Sequence, residues 1–128
     1  MAVDRNMNIL IVDDFAPMLL TMKNLLKKFE LKQVDEAENG AQALDMMRRK
    51  TYGLVLSDWE MEPVSGIELL QEVRKDGVLK DTPFILVTSQ DDQELIAAAT
   101  AAGVSGYVVK PFTADALKDK IEYVLGPL

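Results

Sequence analysis

Five short apolar runs, separated by stretches whose apolar residues recur every three or four positions, constrain this chain more than any other feature. The runs fall at 8–13, 33–37, 54–58, 83–88 and 106–110, a spacing of roughly 25 residues that suits a series of βα units. Between the first two, Phe15, Met18, Leu19, Met22, Leu25, Leu26 and Phe29 mark one face of a helix, and Pro17 fits because it lies in the first turn. Further helices are predicted at 41–50 after Asn39-Gly40, at 66–75 behind Ser65 as N-cap, at 92–102, and at 113–125. The fourth has Asp91 or Asp92 at its start and Gly103 beyond its end; the fifth carries Leu117, Ile121, Val124 and Leu125 on one side.

Strand composition then orders the sheet. Runs 8–13, 54–58 and 83–88 are almost wholly apolar and require helices on both faces, so they belong in the middle. The partly polar run 33–37 and the short run 106–110 suit the edges. With right-handed crossovers the economical arrangement is an α/β, flavodoxin-like doubly wound sheet of five parallel strands in the order 2-1-3-4-5, with five helices.

The 128 residues make one ordinary domain. A net charge of −7 opposes binding to nucleic acid. Cysteine and histidine are both absent, which removes thiolate chemistry, disulfides, the commonest general base and any phosphohistidine made by the chain itself. No secretory signal opens the sequence and no apolar run is long enough to span a bilayer, so a cytoplasmic, membrane-free monomer is expected.

In such a sheet the loops after the strands share one edge, and ligands bind near the point where chain order reverses. Asp13 and Asp14 end run 1, Asp58 ends run 3, Thr88 run 4 and Lys110 run 5. Each alone reads as a solvated loop residue or a helix cap. Together they do not: two carboxylates ~4 Å apart repel by about 4 kcal/mol at an effective dielectric near 20, and three need a cation among them. An all-oxygen set with room for water suits Mg2+. Lys110 across the crevice suits a phosphoryl dianion, and the Thr88 hydroxyl can donate to one of its oxygens. With histidine and cysteine missing, the nucleophile is a hydroxyl or a carboxylate, and Asp58 is placed to form an acyl phosphate.

The segments Ile11-Val-Asp-Asp-Phe, Ser57-Asp-Trp-Glu-Met, Val87-Thr-Ser and Gly103-Val-Ser-Gly-Tyr-Val-Val-Lys-Pro-Phe-Thr resemble the motifs of CheY-like response regulator receiver domains of bacterial two-component systems. The resemblance covers essentially the whole chain and implies one receiver domain over 1–128, core about 7–126, without an output domain. It implies phosphoryl transfer from a sensor histidine kinase to Asp58, with Mg2+ on Asp13, Asp14, Asp58 and the backbone carbonyl of Glu60. It further implies a Lys110 contact to the phosphoryl group, a cis bond to Pro111, and a coupled inward shift of Thr88 and Tyr107. Ile96, Tyr107 and Lys120 match a target-binding surface, and Trp59, beside the acceptor, is expected to be partly exposed.

Two departures stand out. Glu62 precedes Pro63 where relatives usually place proline directly after the methionine, and CheY itself has asparagine at the position of Glu60, so the added carboxylate bears on how water or a phosphatase approaches. The function implied is a stand-alone phosphoacceptor switch in chemotaxis or motility, acting on a target such as the flagellar motor switch. The alternatives are a phosphate sink or phosphorelay intermediate, or an aspartate-nucleophile phosphatase. The last normally carries D-x-D after strand 1 and a cap insertion, which adjacent Asp13-Asp14 and the short loops do not match. A flavin-binding reading fails because Asp13-Asp14 would repel the flavin phosphate.

Overall fold

The computed structural model describes residues 4–61, 64–89 and 93–128. Strands β1 (Ile9–Val12), β2 (Val34–Ala37), β3 (Leu54–Asp58), β4 (Phe84–Thr88) and β5 (Gly106–Val109) alternate with helices α1 (Ala16–Lys28), α2 (Gly40–Arg49), α3 (Gly66–Lys75), α4 (Gln93–Ala101) and α5 (Ala114–Leu125). All neighbouring strands are parallel, in the order β2-β1-β3-β4-β5. The three inner strands are buried along their whole length, whereas β2 and β5 alternate or fray toward solvent, as their composition predicts.

Because strand side chains alternate between faces, the sheet divides the core in two. Leu10, Val12, Val55, Phe84 and Leu86 face α2, α3 and α4, meeting Ala43, Met47, Leu69, Leu70, Val73 and Ala99. Ile9, Ile11, Leu54, Leu56, Ile85 and Val87 face α1 and α5, meeting Leu19, Met22, Leu26, Leu117 and Ile121. Each large side chain so buried contributes about 1.5–3 kcal/mol.

Element ends move by a residue or two from the sequence expectation. Strand β1 stops at Val12, so Asp13 and Asp14 stand in the following loop, and Asn8, Gln33, Pro83 and Lys110 flank the strands. Helix α2 begins at Gly40, with Asn39 accepting from the Gln42 N–H. Ser65 caps α3 as expected, and Glu68 returns the bond to form a capping box. Thr113 is the cap of α5, not its first residue. The expectations placed on Glu62, Pro63, Asp91 and Asp92 lie outside the described residues.

The amino-terminal edge of the sheet is firmly tied. Arg74, at the end of α3, donates to the carbonyls of Lys80, Thr82 and Gly103 at 2.7–2.9 Å. Asp35 Oδ2 accepts from Lys50 Nζ at 2.8 Å and from the Tyr52 hydroxyl at 2.7 Å. No helix among the described residues is long and apolar enough to cross a membrane.

Candidate functional site

The carboxyl-terminal edge holds a different arrangement. Asp13 follows β1, its N–H bonded to the Ala37 carbonyl at 3.1 Å, and its Oδ1 accepts from the Phe15 N–H at 3.0 Å. That bond orients the carboxylate at the entrance to α1. Its other oxygen, Oδ2, is buried with no hydrogen-bond donor among the described residues; Lys110 Nζ stands 3.8 Å away. Asp14, next along the loop, is exposed.

Asp58 ends β3 and is buried, and its main chain is closely held. Ser57 Oγ donates to its carbonyl at 3.0 Å, and the following Trp59 N–H donates to Val87 O at 2.8 Å. Gly66 opens α3 so near that a Cβ there would stand 2.2 Å from the Asp58 carbonyl oxygen, which only glycine permits. Lys110, just past β5, donates its N–H to Thr88 O at 2.7 Å and precedes a cis bond to Pro111. Its ammonium reaches back to Asp58 Oδ1 at 2.8 Å, a charge contact without the alignment of a full hydrogen bond. Thr88, buried at the end of β4, is registered against Val109 beside that lysine.

One oxygen from each of Asp13, Asp14 and Asp58 fits within 4.8 Å of the others. Three carboxylates facing one ammonium leave net negative charge in a partly dry crevice. Burial, then the charge of Asp58, push the Asp13 carboxyl up to about 6 despite the Phe15 N–H and Lys110. Burial likewise raises Asp58, outweighing Lys110, with Glu60 and Asp14 adding to the rise. A buried carboxylate oxygen without a donor, within an all-oxygen cluster, is the environment a hard divalent cation fits.

The residues expected at a partner surface are partly gathered. Lys120 Nζ lies 5.3 Å from the centre of the half-buried Tyr107 ring and 5.2 Å from that of the exposed Tyr123. Ile96 is half-buried on α4. Trp59 is half-buried too, packed in part against the α2–α4 side of the core. Sequence reasoning gave no role to Ser89, whose hydroxyl donates to Glu60 Oε1 at 2.6 Å. The signal was a second hydroxyl directly after Thr88, but nothing in the sequence says that the two loops approach.

Comparison with known proteins accords with this arrangement. The sequence model described as "Response regulator receiver domain" matches residues 9–122. The chemotaxis protein CheY-3 of Vibrio cholerae serotype O1 is 42% identical over 122 residues, 95% of this chain and 94% of that protein. The chemotaxis protein CheY of Pseudomonas aeruginosa is 45% identical over 118 residues, covering 92% and 95%. In three dimensions the Vibrio cholerae chemotaxis protein CheY4, crystallised at pH 4.0, superposes with a TM-score of 0.86 at 27% identity, covering 93% of this chain and 98% of that one.

Proposed function

The chain belongs to the family of response regulator receiver domains, and on that premise we propose that Asp58 accepts a phosphoryl group from the phosphohistidine of a sensor kinase, in a Mg2+-dependent reaction. The observation that carries the reading is the cluster itself: three acid side chains from two strand ends, a donorless Asp13 oxygen, and Lys110 in contact with Asp58. Its similarity to chemotaxis proteins over nearly the full length supports a role in chemotaxis or motility.

In the transfer, an Asp58 carboxylate oxygen forms a bond to phosphorus as the P–N bond to the donor imidazole breaks, and the imidazole leaves carrying the electron pair. Lys110 sits against Asp58 Oδ1 and moves its charge onto the phosphoryl oxygens as the carboxylate becomes an acyl phosphate. The Thr88 hydroxyl is the donor beside it. Asp13, Asp14, Asp58 and the Glu60 backbone carbonyl would hold Mg2+, which offsets the negative charge of carboxylates and phosphoryl oxygens when bound. Attack of water on phosphorus later returns the Asp58 carboxylate and inorganic phosphate, so the domain promotes both its own phosphorylation and its reversal. Output passes through a protein target reading Tyr107, Ile96 and Lys120, with a flagellar motor switch as the expected kind of target.

Trp59 beside the acceptor supplies the test. Beryllofluoride, a phosphoryl mimic, added with Mg2+ should change its fluorescence in the wild type and leave Asp58→Asn unchanged. A silent wild type, or an equal response in the variant, refutes the proposal.

A further inference from the structure

Glu60 and Ser89 belong to two different loops, one following β3 and the other following β4, yet Ser89 Oγ donates to Glu60 Oε1 at 2.6 Å. Both side chains are exposed, so neither needs the bond to escape burial. Glu60 stands two residues past Asp58, in the loop that leaves β3 at the carboxyl-terminal edge of the sheet. An exposed glutamate left alone samples many rotamers and spends much of its time in water, where its charge is screened. A short hydrogen bond to a residue on the neighbouring strand's loop restricts that freedom.

We propose that Ser89 is a positioning residue that tethers the Glu60 carboxylate at the mouth of the crevice, as a fixed negative charge that opposes a phosphoryl group on Asp58. The proposal rests on the phosphoacceptor reading above and deepens it. The tether works only through the charge it holds, and this separates it from a bond that merely fastens two loops. A negative phosphoryl group entering beside a second held carboxylate is disfavoured by Coulomb repulsion, moderated by the solvent at the mouth. Released to water, the same carboxylate repels it less.

The experiment is a beryllofluoride titration in saturating Mg2+, with Kd taken from the midpoint of the Trp59 signal, on the wild type, Glu60→Gln, Ser89→Ala and the double variant. Glutamine keeps an acceptor for Ser89 and removes only the charge, so Glu60→Gln should bind about three- to tenfold more tightly. Ser89→Ala should tighten binding in the same direction by less, about twofold, and should add nothing in the Glu60→Gln background. In 1 M KCl, where the screening length is about 3 Å, the gain of Glu60→Gln should shrink. Thermal melts confirm that these exposed substitutions leave the fold intact. Unchanged affinity in Glu60→Gln, or a Ser89→Ala effect of equal size with and without the Glu60 charge, overturns the proposal. Failure of the wild type to bind beryllofluoride at all strikes instead at the phosphoacceptor reading.

Discussion

Two lysine–aspartate pairs in this molecule have the same contact distance, 2.8 Å, at opposite edges of the sheet: Lys50 with Asp35, and Lys110 with Asp58. Their effects on the acid are opposite. Asp35 keeps a side chain 36% exposed, and its hydrogen bonds from Lys50 and then Tyr52 hold its carboxyl below the ordinary range. Asp58 is 5% exposed in its side chain and shares the crevice with other acids, so burial raises its carboxyl although the ammonium is just as near. Distance alone does not say what an ion pair does. The first is satisfied, with two aligned donors; the second is a charge contact in a crevice that stays short of donors.

The largest expected break in this comparison comes from removing each lysine. Lys110→Met leaves Asp58 buried without its cation and should cost about 2–3 kcal/mol in urea unfolding at pH 7 with EDTA, below the fullest penalty for a buried pair because Asp58 can take up a proton. Lys50→Met should cost less than about 1 kcal/mol. Equal losses would show that the two pairs are alike.

A second prediction concerns Asp13. Its folded carboxyl lies at about 6, above the ordinary value of 3.8, so without metal the folded state binds more protons than the unfolded chain between those values. The stability from this group is complete below about pH 4 and is lost as pH rises through about 6. Asp13→Asn should therefore be more stable than the wild type by about 2 kcal/mol at pH 7.5 in EDTA, and should lose that advantage at pH 4. Saturating Mg2+ should narrow the gap at pH 7.5 by stabilising the wild type more than the variant. A wild type with flat stability from pH 4 to 7.5 would count against an uncompensated charge at the site.

The smallest effect belongs to Asp35, and its sign is reversed. A lowered carboxyl contributes stability that is present above its unfolded value and is lost as pH falls through the folded one. Asp35→Asn should cost about 0.5 kcal/mol at neutral pH, since a side chain this exposed is screened by solvent, and nothing once the wild-type acid is protonated. A series of chemical denaturations from pH 7 into the acid range would check it.

The same contrast marks how far the sequence could be read. The βα alternation and strand order follow from apolar periodicity and from which runs are apolar on both faces, signals spread over many residues. The acids and lysine at the crevice were legible because each ends a strand or closely follows one, and topology alone brings strand ends together. Asp35 registered only as a polar residue on an edge strand, because its partners Lys50 and Tyr52 reach it through side-chain geometry across a turn. Ser89 and Glu60 meet in the same way, across two loops whose approach no local pattern encodes. Strand ends shifted because a ladder stops at its last paired residue: Val12 is registered against Ala37 and Ser57, and Asp13, whose N–H still bonds to the Ala37 carbonyl, begins the loop.

Gly66 carries a last consequence. Its missing side chain lets the first turn of α3 rest on the carbonyl of Asp58, and its N–H donates to the Trp59 carbonyl at 2.9 Å. Mechanically this is a joint without backlash. A displacement of the Asp58 main chain has no gap to take up before it reaches α3, whose far end Arg74 bolts to the opposite edge of the sheet. The helix is thereby a strut seated at both ends, against the Asp58–Trp59 main chain at one and the Thr82 and Gly103 carbonyls at the other.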